Sequence, residues 1–219
     1  TKQLKKDLLT WYTNNKRSFS WRNTNDPWKI LLIEIISQQT QINRADTYYQ
    51  KFIKRFPTPE SMSKSSLKTI LKMWSGLGYN NRAKRLYESS KLLAEQGFEG
   101  IYPNFEILPG VGPYTKNAIL SFAYGDNVLA VDTNLQRIII RYFGIDNTKD
   151  YLREYSDLLL ESIKSEDLNQ AFMDFGSSIC TSSNTKCDIC PLEKNCKKYF
   201  VNSKNSIKKF KGSNRELRG

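Results

Sequence analysis

All four cysteines of this 219-residue chain fall between positions 180 and 196: Cys180, Cys187, Cys190 and Cys196, in the spacing C-x6-C-x2-C-x5-C. A disulfide scaffold would spread its bridges through a small secreted chain. Here one short loop carries every thiol of a chain that otherwise reads as intracellular. Four thiolates converging from one loop suit either a tetrahedral zinc or an iron–sulfur cluster. Zinc sites commonly use two short C-x2-4-C knuckles, and this loop has one, Cys187-Asp188-Ile189-Cys190. Spacing therefore ranks a cluster ahead of zinc and leaves zinc open. Four protein ligands leave no vacant position for substrate, so either metal would be structural first.

Composition narrows the chemistry. There is no histidine, which removes Ser-His and Cys-His nucleophile pairs and any imidazole acid or base. The formal charge of +12 points to a polyanionic partner, and 39% hydrophobic residues is too apolar for a disordered polybasic chain. No apolar run reaches the roughly 18 residues of a membrane span, and the start, Thr1-Lys2-Gln3-Leu4-Lys5-Lys6, lacks a signal-peptide core.

Apolar residues recur at helical spacing nearly throughout. Ala45, Tyr48, Tyr49, Phe52, Ile53 and Phe56 form one stripe. Pro57-Thr58-Pro59 stops that helix, with Thr58 placed to cap the next and Pro59 in its first turn. Leu67, Ile70, Leu71 and Trp74 form another stripe, ended by Gly76-Leu77-Gly78, and Ala83, Leu86, Tyr87 and Ser90 begin a further one. The pattern also predicts helices near 4–14, 27–42, 114–124, 133–143, 151–163 and 167–179. No useful strand alternation is present. The fold class expected is all-α, with nine or ten helices. From 197 to 219 there are eight Lys/Arg against one acid, Glu216, which reads as a basic, linker-like tail.

Leu108-Pro109-Gly110-Val111-Gly112-Pro113-Tyr114-Thr115 is the most informative loop. Gly110 and Gly112 around Val111 let the backbone turn tightly and approach a partner. Such a hairpin between two helices can hold a nucleic-acid phosphate without reading sequence.

That loop resembles the helix–hairpin–helix of the base-excision DNA glycosylases. In those proteins an aspartate follows some twenty residues later, as Asp132 does here in Ala130-Val131-Asp132-Thr133-Asn134. The cysteine loop is similar to the 4Fe–4S loop of the endonuclease III and MutY branches. Within the superfamily, Glu34-Ile35-Ile36-Ser37-Gln38-Gln39-Thr40-Gln41 matches the MutY pattern E-x-x-x-Q-Q-T-Q, Gly76–Tyr79 matches G-L-G-Y, and Trp21-Arg22 matches the Trp-Arg of the adenine pocket. The resemblance runs from about Trp11 to Cys196.

It implies one 4Fe–4S cluster on the four cysteines and two helical lobes with a DNA cleft between them. Residues 26–131 would make the six-helix lobe with the hairpin, and 1–25 plus 132–196 the cluster lobe. It also implies a monomeric, intracellular, monofunctional adenine glycosylase acting on double-stranded DNA that contains a mispaired or damaged base. Glu34 would protonate adenine opposite 8-oxoguanine or guanine, and Asp132 would stabilise the oxocarbenium ion. Tyr114 stands where the lyase branch carries its Schiff-base lysine, and a phenol cannot form that imine. Lys116 is the nearest substitute for residual lyase chemistry. Trp21, Arg22, Gln38 and Gln170 would contact the base, Gln39 and Tyr79 would wedge the duplex, Asn134 would support Asp132, and Gly110, Val111 and Gly112 would grip the DNA backbone.

The residues themselves allow blander readings. Glu34 could be a solvated position on a buried helix, Asp132 an N-cap, Gln39 and Gln170 surface amides, and Tyr79 an aromatic at a glycine turn. As the only charge in Ile30–Ile36, Glu34 is expected to have a raised pKa. Helix-terminal N–H groups are expected to keep Asp132 ionised. Ser37 departs from the apolar residue usual in MutY proteins, and Thr133 from the usual glycine. The residues after Lys197 are not expected to fold into the NUDIX-like recognition domain usual in MutY proteins, which this lineage either lacks or carries beyond Gly219. Two alternatives follow: thymine or uracil excision from G mispairs, and a non-catalytic damage-binding module.

Overall fold

A computed structural model describes residues 1–145 and 148–200. Among them are ten α-helices and no strand: α1 (Lys2–Asn15), α2 (Pro27–Ser37), α3 (Ile42–Arg55), α4 (Pro59–Ser63), α5 (Leu67–Trp74), α6 (Asn81–Ile101), α7 (Pro113–Ile119), α8 (Thr133–Phe143), α9 (Thr148–Leu160) and α10 (Ser165–Ser178). The basic-tail expectation falls mostly on residues 201–219, which lie outside the described residues. No described helix is long and apolar enough to cross a membrane.

Helix starts follow local capping chemistry. Asp26 accepts from the Trp28 and Lys29 amides, at 2.9 and 3.4 Å, and Pro27 fills the first position of α2. Thr58 and Ser61 exchange hydrogen bonds in a capping box at α4. Asp132 caps α8 through the Leu135 amide at 2.7 Å, and Gly144 closes it in the left-handed conformation. The expected 27–42 helix is shorter: α2 ends at Ser37, and 38–41 form a turn before α3. The expected 114–124 helix is α7, continued as a π-helical segment over Leu120–Tyr124.

Two apolar cores organise the helices. One gathers α2 to α7 around Trp28, Phe52, Phe56, Trp74 and Phe105. The other gathers α1, α8, α9 and α10 around Leu4, Leu8, Phe172 and Phe175. α2 is the central element of the first: Trp28, Ile30–Ile33, Ile35 and Ile36 are all buried, so its few polar side chains mark where packing gives way to an opening. The chain passes between the cores through residues 16–26 and again through 125–132.

The first passage is pinned by an ion cluster. Asp174 on α10 is wholly buried; it receives two bonds of 2.6 Å from Arg22 and a 2.7 Å bond from Arg17 Nε. The Arg17 amide adds a fourth bond at 3.0 Å. Burial pushes the Asp174 pKa up, but the Arg22 and Arg17 donors outweigh it, and the carboxyl ends below its ordinary value. This cluster was not legible beforehand. Removing one partner of a buried pair strands the others, so Asp174→Ala is expected to cost about 3 kcal/mol or more of stability in denaturant titrations at pH 7. Because the folded pKa is depressed, that contribution is present above pH 3.8 and is lost only as pH falls through the lower folded value.

Candidate functional site

The two passages and α2, α7 and α10 enclose a cavity of about 420 Å³. Trp21, Arg22, Glu34, Tyr114, Asp132, Asn134 and Gln170 all line it, together with Arg17, Phe19, Ser37, Glu166 and Met173. Gln38, Gln39, Tyr79 and the 110–112 turn do not; they lie on loops outside it.

Glu34 projects from the polar edge of α2 into this cavity and retains partial exposure there. The surrounding protein still strips it of water. Desolvation raises its pKa to about 7, with the Asp132 charge adding to the rise and a hydrogen bond from the Tyr114 hydroxyl opposing it. Tyr114 sits in the first turn of α7, and burial together with Glu34 and Asp132 lifts its own pKa well above 10, so it stays a donor.

Asp132 is both an N-cap and a cavity residue. Its Oδ1 accepts from Leu135 N, and its Oδ2 accepts from Asn134 Nδ2 at 2.6 Å. Asn134 Oδ1 in turn accepts from Arg137 Nη2 at 2.7 Å, and Arg137 Nε donates to the Cys180 carbonyl at 2.8 Å. The helix-end amides favour the ionised form of Asp132, but burial acts against them. Burial raises its pKa above 3.8, and the Leu135 and Asn134 donors with Arg137 only hold that rise in check. The two acids are therefore separated because Glu34 is lifted far, not because Asp132 is lowered.

The opposite wall is aromatic. Phe19 and Trp21 stack with centroids 4.5 Å apart and planes within 7°, and the Arg17 and Arg22 guanidiniums lie 5.0 and 5.2 Å from the Phe19 ring. Gln170 is not a free surface amide: Tyr12 OH donates to its Oε1 at 2.7 Å. Ser37 Oγ is turned back onto the Glu34 carbonyl at 3.1 Å. Among the described residues no lysine lines the cavity, and Lys116 instead pairs with Glu106 at 2.9 Å.

Outside the cavity, Gln38 Nε2 reaches the Gly110 carbonyl at 3.4 Å, tying the end of α2 to the 108–112 turn. Gly110 has φ +89°, and a Cβ there would also press on the Arg85 side chain, so the turn favours glycine. Gln39 and Tyr79 are exposed at loop tips with φ of 54° and 46°, a left-handed conformation costing a non-glycine residue about 1–2 kcal/mol. Tyr79 is 60% exposed. The four cysteines are free thiols in the loop after α10.

Phe19, Arg17, Tyr12, Asp174, Arg137 and Arg82 were missed by sequence reasoning. Only Arg17, a few residues before Trp21-Arg22, carried a local hint.

Comparison with known proteins places this geometry. The family described as HhH-GPD superfamily base excision DNA repair protein matches residues 32–162. An adenine DNA glycosylase of Buchnera aphidicola subsp. Baizongia pistaciae is 42% identical over 89% of this chain and 58% of its own length. One from Mycobacterium tuberculosis is 34% identical over 85% of this chain and 65% of its own. The chain thus spans about three fifths of the length of these two relatives. Among solved structures, a thermostable thymine-DNA glycosylase superposes with TM-score 0.81 at 32% identity, covering 90% of this chain and 95% of that one. An endonuclease III–DNA complex shares the fold at TM-score 0.72 and 21% identity, covering 90% and 95%.

A raised carboxyl pKa has a stability signature. Between pH 4.5 and about 7 the folded state holds a proton that the unfolded state has lost, so Glu34 progressively destabilises the fold as pH rises. Glu34→Gln is expected to be more stable than the parent at pH 8, by up to about 2–3 kcal/mol, with the difference vanishing below pH 4.5. Denaturant titrations across that range check it.

Proposed function

The chain belongs to the HhH-GPD superfamily of base excision DNA repair proteins, and on that footing we propose that it is a monofunctional DNA glycosylase that hydrolyses the N-glycosidic bond of adenine mispaired with 8-oxoguanine or guanine. The observation that carries the reading is the pairing of Glu34, whose pKa is raised to about 7 so that it keeps a transferable proton near neutral pH, with the Asp132 carboxylate across one cavity.

Cleavage needs the departing base protonated and the electron-poor sugar supported. Glu34, its pKa raised by desolvation and its carboxyl oriented by the Tyr114 hydroxyl, gives its proton to the ring nitrogen as the C1′–N bond breaks. Asp132, fixed by Leu135 N and Asn134, supplies the negative charge beside the oxocarbenium ion. Water then adds at C1′ and returns a proton to Glu34, leaving free base and an abasic deoxyribose. With no lysine among the described lining residues, imine formation has no amine to start from. The Phe19–Trp21 stack and the Gln170 amide offer a flat apolar face and a polar edge, as a purine requires. A base inside a duplex reaches such a cavity only when extruded, which is cheapest at a mispair. Gln39 and Tyr79, presented at strained loop tips, would fill or wedge the gap, Gln38 would support the base site, and Gly110, Val111 and Gly112 would hold the backbone phosphate. We assign residues 26–131 to one lobe and 1–25 with 132–196 to the other, which follows the two cores except that Trp21 packs on the first and Leu129 and Val131 on the second.

The cysteine loop fits a 4Fe–4S cluster better than a zinc ion. Zinc sites commonly draw on two short C-x2-4-C knuckles, and this loop has one, Cys187-Asp188-Ile189-Cys190. The thiols are close enough that Cys180, Cys196 and Cys187 each add to the rise that burial dominates, and together they take Cys190 to about 11. Donors face the sulfurs: Lys198 N on Cys196 and Arg141 Nη1 on Cys180, both at 3.4 Å. Cys180, Cys187, Cys190 and Cys196 would hold the cluster, which would supply the positive iron that keeps the four thiolates charged. It would cross-link the 180–196 loop to itself.

Three measurements test the proposal. Single-turnover assays on 8-oxoguanine:A, G:A and G:T duplexes should release adenine from the first two and no thymine from the third. Thymine release alone would favour the activity that names the 32%-identical structural relative. Glu34→Gln should lose base release by at least about a hundredfold while still binding DNA, whereas a pure binding module would show no such loss. Binding should weaken at least about tenfold between 50 and 200 mM salt if phosphate contacts dominate.

A further inference from the structure

Arg82, in the first turn of α6, is buried and has no part in the cavity. Its Nη1 donates to the carbonyls of Ile35 and Ile36 at 3.3 and 2.9 Å, to the Gln38 carbonyl, and to Thr40 Oγ1 at 3.1 Å. Its Nη2 donates to the carbonyls of Leu77 and Gly78 at 3.0 and 3.3 Å. One guanidinium thus closes both loops at once, the 38–40 turn after α2 and the 77–79 turn before α6. The same group lies 5.1 Å from the Trp74 ring centroid and 5.8 Å from that of Tyr79. Trp74 Nε1 ties the Gly78 carbonyl from below at 3.0 Å.

The residues at the tips of these two loops, Gln39 and Tyr79, both have left-handed backbones that free chains avoid. Such conformations persist only where the surroundings over-determine them, and the feature common to both surroundings is Arg82. Lysine could supply the charge but not a planar fork reaching two loops.

We propose that Arg82 is a positioning residue that sets Gln39 and Tyr79 at a fixed spacing as a paired probe of the duplex, so that it governs base extrusion rather than bond cleavage. This rests on the glycosylase reading and on those two side chains meeting the DNA. It makes a strong claim about coupling: the three residues act as one unit, and damage to one should largely pre-empt damage to another.

The experiment uses the full chain under single turnover, with the target adenine either paired in a duplex opposite 8-oxoguanine or in single-stranded DNA, where no extrusion is needed. A 2-aminopurine beside the target reports unstacking. Arg82→Lys is expected to slow duplex release by about tenfold to a hundredfold and to lose the 2-aminopurine rise, while single-strand release changes by less than about threefold. Tyr79→Ala should behave likewise, and the double variant should be no slower than the slower single. Thr40→Val, which removes one peripheral acceptor, should give a smaller loss confined to the duplex, and it serves if Arg82→Lys does not fold. Equal loss on both substrates, or multiplicative loss in the double variant, overturns the proposal. If Tyr79→Ala and Gln39→Ala leave duplex release unchanged, the probe assignment fails with it, while base release abolished by Glu34→Gln would leave the glycosylase reading standing.

Discussion

The desolvation of one carboxylic acid at the seam between two helical cores is what the rest of this molecule serves. Glu34 is carried by a helix whose other faces are committed to packing, so it cannot turn to bulk water. It meets Asp132 at the second crossing of the chain, and the resulting charge proximity favours keeping one of the two protonated. Neither core alone supplies both groups: Glu34 belongs to the α2–α7 core, and Asp132 opens α8 of the other.

Holding that seam requires polar fixtures: Asn169 and Asn117 bond the backbone of 128–130, and several others are multidentate arginines. Arg22 and Arg17 fasten the first crossing to Asp174, so the Phe19–Trp21 stack is presented to the cavity rather than left to move. Arg137 fastens Asn134, the Gly176 carbonyl and the Cys180 carbonyl, placing the second crossing and the cysteine loop on one side chain. Arg82 fastens the two outer loops. A rigid frame of this kind suits electrostatic preorganisation, since the groups that meet developing charge need not reorganise to do so.

Much of this was legible in the sequence, for a definable reason. Helix α8 could be read end to end because its limits are local: an Asp cap at 132 and a left-handed Gly144. The E-x-x-x-Q-Q-T-Q and Trp-Arg motifs are contiguous, and the structure places Trp21, Arg22 and Glu34 around one cavity. Helix α2 was overextended to 42 because nothing in Ser37–Thr40 forbids a helix locally. It ends because the carbonyls of Ile35, Ile36 and Gln38 are claimed by a guanidinium some 45 residues on, and no window of sequence contains that competition. Asp174 and Tyr12 were unreadable for the same reason, since each acts on a partner more than 150 residues away. The net rise at Asp132 was not legible because capping donors are local and visible, whereas burial is a property of the assembled fold.

The most direct test of this account is the titration of the Glu34 carboxyl itself. Site-resolved carbon NMR should find its midpoint near 7 in the parent and a lower midpoint in Asp132→Asn, where the neighbouring charge is gone. A midpoint near the ordinary 4.5, indifferent to the residue at 132, would contradict it.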